Sequence, residues 1–303
     1  MQTIIDSHAG PCPGVRRALN MLELELHQGR CVALGSVIHN PVEVARLERS
    51  GLETVPQEQV EAGDLRKVRG RRVFIRSHGI SEKLRQTLEQ AGAEIIDGVC
   101  PTVSALQRNI RRFYQQGYQI LIIGKHGHPE VKGLCGAADD RAVVIASEAD
   151  FAAVDPAVKS LLVAQTTVDE QVFQTMADRL REHIGDLKVL NTLCRQVTGR
   201  QATIREFAAR VDVLLLVGGK NSSNTKVLFT TAQSVNRRSH WIEHPDELRE
   251  QWFTPNDTVG ITGSASTPML QLADMQRAVE ALDAQLMTAS SHFEESPLRG
   301  TCQ

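Results

Sequence analysis

A chain of 303 residues can bury more than one core, and 41% hydrophobic with 23% charged residues places it among globular rather than disordered or collagen-like proteins. A formal charge of −2 argues against a general nucleic-acid binder, which needs a strong basic excess on some face, and no apolar run approaches the roughly 18 residues of a membrane span. The first residues, MQTIIDSHAGPC, carry neither a basic leader nor a sufficient apolar stretch, so no secretory signal is expected and the cytoplasm is the default compartment.

In chain order, Ile4-Ile5-Asp6 is a short apolar run that leads through a loop to Cys12, where CPGVRRA opens a helical stretch. VALGSVIHN and VFIRSHG follow as strands that end in small or polar residues. Before the second of them, Arg66-Lys67-Val68-Arg69-Gly70-Arg71-Arg72 reads as a solvated loop, or as a landing site for an acidic electron donor. Ile95-Ile96-Asp97 leads to Cys100, after which Val103, Leu106, Ile110 and Phe113 fall on one helical face. ILIIGKHGHPE and LLVAQTTV are the next strands. Val189-Leu190-Asn191 leads to Cys194, and VLLLVGGKNSSN and TVGITGSAS complete the series.

One order therefore recurs three times: apolar run, Asp or Asn, loop, Cys, helix, with the cysteines roughly ninety residues apart and a valine three positions after each. Alternating short strands and helices predict an α/β protein with small, largely parallel sheets. Three similar units are expected at 1–97, 98–191 and 192–290, with 291–303 as a tail, disposed around a shared centre. Six cysteines in a reducing compartment are not expected to form disulfides. Cys31, Cys135 and Cys302 fit no repeat, whereas Cys12, Cys100 and Cys194 each sit at a strand-to-helix turn. Open α/β sheets collect ligands at such turns, and exposed backbone N–H groups there favour a thiolate. Coincidence among buried cysteines is the competing reading. Three soft thiolates without a C-x-x-C pair suit an iron–sulfur cluster better than structural zinc, and they leave one metal position open toward substrate oxygen.

His39, His78, His126 and His128 all fall at strand ends. Ser222-Ser223-Asn224 and Ser264-Ala265-Ser266 follow glycine-containing turns, where they can either cap a helix or receive phosphate oxygens. No Walker-type loop and no placed GxGxxG is present, which argues against nucleotide hydrolysis and dinucleotide binding. Glu130 follows Pro129; it is either a surface carboxylate or, beside a cluster, a proton donor whose pKa burial raises.

Taken together, CPGVRRA at Cys12, HNP at His39, SHG at His78, CPTV at Cys100, GHPEVKG at His128, QTT at Gln165, Cys194 with its GRQ, KNSSN at Lys220 and SAS at Ser264 resemble the LytB/IspH family, from about Gln2 to about Leu286. The resemblance implies a trefoil of three α/β units around a central 4Fe-4S iron–sulfur cluster held by Cys12, Cys100 and Cys194. It implies a substrate diphosphate held by His39, His78, His128, Ser222, Ser223, Asn224 and Ser266. Of the implied catalytic group, Glu130, Thr166 and His128, Thr166 would orient the substrate hydroxyl and Glu130 would deliver protons. The implied reaction takes two electrons, from ferredoxin or flavodoxin, and two protons. It expels water from 4-hydroxy-3-methylbut-2-enyl diphosphate to give isopentenyl and dimethylallyl diphosphates, without nucleic acid or membrane as partners. The chain departs from the family pattern at Pro11, Gln196, Val197 and Gly199. These departures keep open a paralogue that reduces another allylic or hydroxylated compound; a non-catalytic iron–sulfur or zinc protein is a separate alternative.

Overall fold

The computed structural model describes the backbone of residues 1–294 and the side chains of residues 1–286. Among these, twelve short strands form three four-stranded sheets in which every pairing is parallel. The chain opens on β1 (Gln2–Ile5). β2 (Cys31–Leu34), β3 (Leu52–Val55), β4 (Arg72–Ile75) and β5 (Glu94–Asp97) form a sheet in the order β3-β2-β4-β5. β6 (Gln119–Ile123), β7 (Val143–Ile145), β8 (Ser160–Ala164) and β9 (Leu187–Val189) form a second, ordered β7-β6-β8-β9. β10 (Val213–Val217), β11 (Ser239–Ile242) and β12 (Thr258–Gly263) complete a third with β1, ordered β1-β12-β10-β11.

The three sheets share one topology. In each, the strand that leads to a cysteine lies at one edge, two buried strands fill the centre, and a short strand closes the other edge. The central strands are mostly apolar, with polar residues chiefly at their first positions, as parallel sheets covered on both faces require. Side-chain alternation divides each core in two. Cys31, Ala33 and Phe74 pack on one face of the first sheet, and Val32, Leu34, Val73 and Ile75 on the other. Ile120, Ile122, Leu161 and Val163 likewise oppose Leu121, Ile123, Leu162 and Ala164.

Two compact units result, one spanning Cys12–Gly199 and the other Met1–Pro11 with the chain from Arg200 onward. The expected unit 1–97 therefore loses its first strand: β1 pairs with β12, Gln2 opposite Thr258 through Ile5 opposite Ile261. The cause is the phase of the repeat: β5 and β9, which lead to Cys100 and Cys194, close sheets built from the strands before them, and β1, which leads to Cys12, fills the same edge of the third sheet. The helix Met269–Glu294 runs past position 290, where a tail is expected; residues 295–303, Cys302 among them, lie outside the described residues. No helix of the described residues is long and apolar enough to cross a membrane.

Candidate functional site

Each repeated cysteine directly precedes a helix: Pro13–Gln28, Pro101–Gln115 and Arg195–Ala208. Proline at the first helical position fixes the entry of the first two. The repeated Asp or Asn builds the approach in the same way three times. Asp6 Oδ1 accepts from His8 N–H at 2.9 Å, Asp97 Oδ1 from Val99 N–H at 3.0 Å, and Asn191 Oδ1 from Leu193 N–H at 3.1 Å. Each bond spans two residues and closes a side-chain-to-backbone turn just ahead of the thiol.

Cys12 Sγ accepts from Val15 N–H at 3.5 Å, so the thiol caps its own helix. A Cβ on Gly14 would stand 2.6 Å from Cys100 Sγ and 4.0 Å from Cys12 Sγ, so both sulfurs border the space the glycine leaves. Burial raises the Cys12 pKa against the pull of Val15 N–H, and Cys194 and Cys100 raise it further, which places all three thiols in one electrostatic neighbourhood. The backbone holds the other two: Cys100 N–H donates to Ser77 O at 3.1 Å and Cys194 N–H to Thr166 O at 2.9 Å. Cys31 in β2 and Cys135 in the helix Pro129–Gly136 stand apart, and burial pushes both thiols up to about 11, which leaves them inert.

His39 follows β2, His78 follows β4, and His128 caps the helix Pro129–Gly136. The structure brings these three rings together, with centroids 5.0, 5.7 and 5.4 Å apart. They are also the one group of three potential metal-ligand side chains, among the described residues, whose ligand atoms all lie within 4.8 Å of one another. Burial lowers the pKa of each, to about 4 for His128 and well below the ordinary value for His78, with Arg76 contributing at all three. The rings are therefore neutral. His128 Nδ1 accepts from Glu130 N–H at 3.1 Å, which assigns the ring proton to Nε2. His39 Nε2 and His78 Nδ1 are buried without a hydrogen-bond partner, a costly arrangement that a ligand would relieve. His126, the fourth strand-end histidine, is exposed beside Asp150 at 3.3 Å and stays outside the trio.

Glu130 is 2% exposed. Its Oε1 accepts from Thr166 N–H at 2.6 Å and its Oε2 from Thr166 Oγ1 at 2.9 Å. Burial raises its pKa and outweighs both bonds, which act to lower it. Since Thr166 O accepts from Cys194 N–H, one chain of contacts joins a buried carboxyl to a cluster of thiols. Such an arrangement can hold a proton on carboxyl oxygen and surrender it to a leaving group.

In the second unit, Ser222 Oγ accepts from Thr225 N–H at 3.2 Å and caps the helix Ser223–Val235. Ser264 Oγ meets Ser266 Oγ at 2.8 Å. Asn224 is different: it is 7% exposed and neither atom of its amide has a partner. Sequence reasoning missed three groups. Arg76 is a buried cation whose charge reaches all three histidines, and Thr225 is fully buried with an unpartnered hydroxyl. Arg200 of the GRQ segment donates to Asp6 Oδ2 at 3.0 Å, where Thr262 Oγ1 also donates at 2.7 Å. Only the repeated Asp/Asn carried a signal for the last.

A family profile for LytB protein matches residues 3–280. The chain is 35% identical over 285 residues to a 4-hydroxy-3-methylbut-2-enyl diphosphate reductase of Caldanaerobacter subterraneus subsp. tengcongensis, covering 93% of this chain and 98% of that one. A reductase of the same name from Aquifex aeolicus is 34% identical over 292 residues, with 94% and 99% covered. A solved structure of (E)-4-hydroxy-3-methyl-but-2-enyl diphosphate reductase, described as the terminal enzyme of the non-mevalonate pathway, matches with a TM-score of 0.70 at 32% identity, covering 93% of this chain and 100% of that one.

Proposed function

Since the chain belongs to the LytB protein family, we propose that it reduces (E)-4-hydroxy-3-methylbut-2-enyl diphosphate to isopentenyl and dimethylallyl diphosphates, the last step of the non-mevalonate isoprenoid pathway. Cys12, Cys100 and Cys194 would hold a 4Fe-4S cluster, which supplies one-electron transfer and Lewis acidity at the iron without a protein ligand. The residues fit such a group. The sulfurs of Cys12 and Cys100 border the space beside Gly14, and Cys194 shares their electrostatic neighbourhood, so three soft donors are available to it.

The neutral trio His39, His78 and His128 donates ring N–H groups to diphosphate oxygens, with Ser222, Ser223, Asn224 and Ser266 as further neutral donors. Asn224, with its unpartnered amide, has the strongest support among the latter. Thr166 Oγ1 lies on Glu130 Oε2, so it can accept from the substrate hydroxyl while it donates to the carboxylate. Glu130 gives its proton to the departing hydroxyl, which leaves as water; the resulting carboxylate keeps both bonds from Thr166. A second proton goes to carbon, and two electrons arrive singly from ferredoxin or flavodoxin in the cytoplasm.

The observation that carries this reading is the link from Glu130 through Thr166 to Cys194, which puts a protonatable carboxyl on the backbone that positions a thiol. Anaerobic turnover with a low-potential reductant tests it, and both five-carbon diphosphates are the expected products. A metal-loaded protein that makes neither is a paralogue for another allylic substrate.

A further inference from the structure

We propose that Arg76 is the fixed positive charge of the histidine site, a buried guanidinium that bound diphosphate completes. This deepens the proposed function and rests on it. Arg76 directly follows β4, two residues before His78, and is 6% exposed. Its Nη1 donates to Ser36 O at 2.7 Å, while its Nε–H is buried without a partner. The loop after β2 is shaped around it: Gly35 has φ +69°, and a Cβ there would stand 3.1–3.2 Å from Nη2, Cζ and Nη1.

No carboxylate among the described residues forms an ion pair with this guanidinium. Among the described residues the field of Glu58 reaches it, and Glu58 is already paired with Lys132 Nζ at 2.6 Å. Burial pushes the Arg76 pKa down to about 10, so the group stays cationic at neutral pH. Its charge falls on His39, His78 and His128, and Lys125 adds to it at His39 and His128. A desolvated cation without a counter-ion is unfavourable in a folded protein, and an arriving anion removes that penalty. The division of labour is then clear. Three neutral rings supply directed N–H donors, while Arg76 supplies net charge that no histidine provides at neutral pH.

The test titrates inorganic pyrophosphate into anaerobically prepared holoprotein carrying the native residue, Arg76→Met or Arg76→Lys, and records melting temperatures without ligand. Arg76→Met should weaken pyrophosphate binding about tenfold or more. Arg76→Lys should restore affinity to within about threefold, because the charge returns without the planar fork. The melting temperature of Arg76→Met should hold or rise, since an unpaired buried charge has been replaced by an apolar chain of similar length. His128 should titrate above its native value in Arg76→Met, read by NMR of labelled histidine. Native-like binding by Arg76→Met overturns the inference about Arg76 and leaves the proposed reaction standing. Weakened binding with a lowered melting temperature and no rescue by lysine makes Arg76 a scaffold residue, which also overturns it. If the native protein binds no pyrophosphate, both this inference and the anion-site reading fall.

Discussion

At the scale of single residues, Glu130 shows how environment rather than residue type sets chemistry. Two hydrogen bonds from Thr166 favour its charged form, but full burial favours the neutral one and prevails. The sign of the pH response follows. A carboxyl whose folded pKa is raised holds its proton up to that pKa and loses it above, so the acid-dependent step should slow as pH rises through the Glu130 value. Glu130→Gln keeps size and one acceptor for Thr166 N–H, presents an N–H donor to Thr166 Oγ1 in place of the second acceptor, and has no acidic proton. It should retain iron and bind substrate while turnover falls about 100- to 10,000-fold and the alkaline decline disappears. Steady-state rates across pH check this; near-native rates in the variant would remove Glu130 as the acid. The sequence placed Glu130 beside His128 but gave no sign of Thr166 closing over it, because that contact joins the helix Pro129–Gly136 to the loop after β8.

At the scale of elements, the loop from strand to cysteine to helix is the repeated unit. Asp6, Asp97 and Asn191 shape it identically, and Gly14 leaves room where two sulfurs approach. Gly14→Ala should therefore lower bound iron with helix content unchanged, because a Cβ 2.6 Å from Cys100 Sγ must displace the sulfur. Iron assay beside circular dichroism decides this, and full iron content would show that the loop yields at no cost. Nine strands were legible because their apolar runs are continuous or precede a repeated turn. β3, β7 and β11 were not, since LETV, VVI and SHWI are short edge strands with partly exposed side chains and weak alternation. The partner of β1 was hidden for another reason: pairing across the length of the chain leaves no mark on the local pattern.

At the scale of the whole molecule, three sheets of identical order present three cysteines at equivalent turns, and that symmetry was readable from the recurrence of apolar run, Asp or Asn, and Cys. The phase of the repeat was not readable, because a strand that ends one sheet and a strand that begins the next look alike in sequence. The ion pair of Asp6 with Arg200 was equally hidden, although it fastens the loop after β1 to the start of the second unit's long segment. The proposed reaction depends on Cys12, Cys100 and Cys194 jointly holding one iron–sulfur cluster. Iron, sulfide and zinc analysis of anaerobically purified protein, native and with each cysteine replaced by serine, tests it most directly. About four irons and four sulfides per chain are expected in the native protein and in the Cys31 and Cys135 variants, with loss in Cys12→Ser, Cys100→Ser and Cys194→Ser. Zinc without sulfide, or a full cluster in any of those last three variants, would contradict the account.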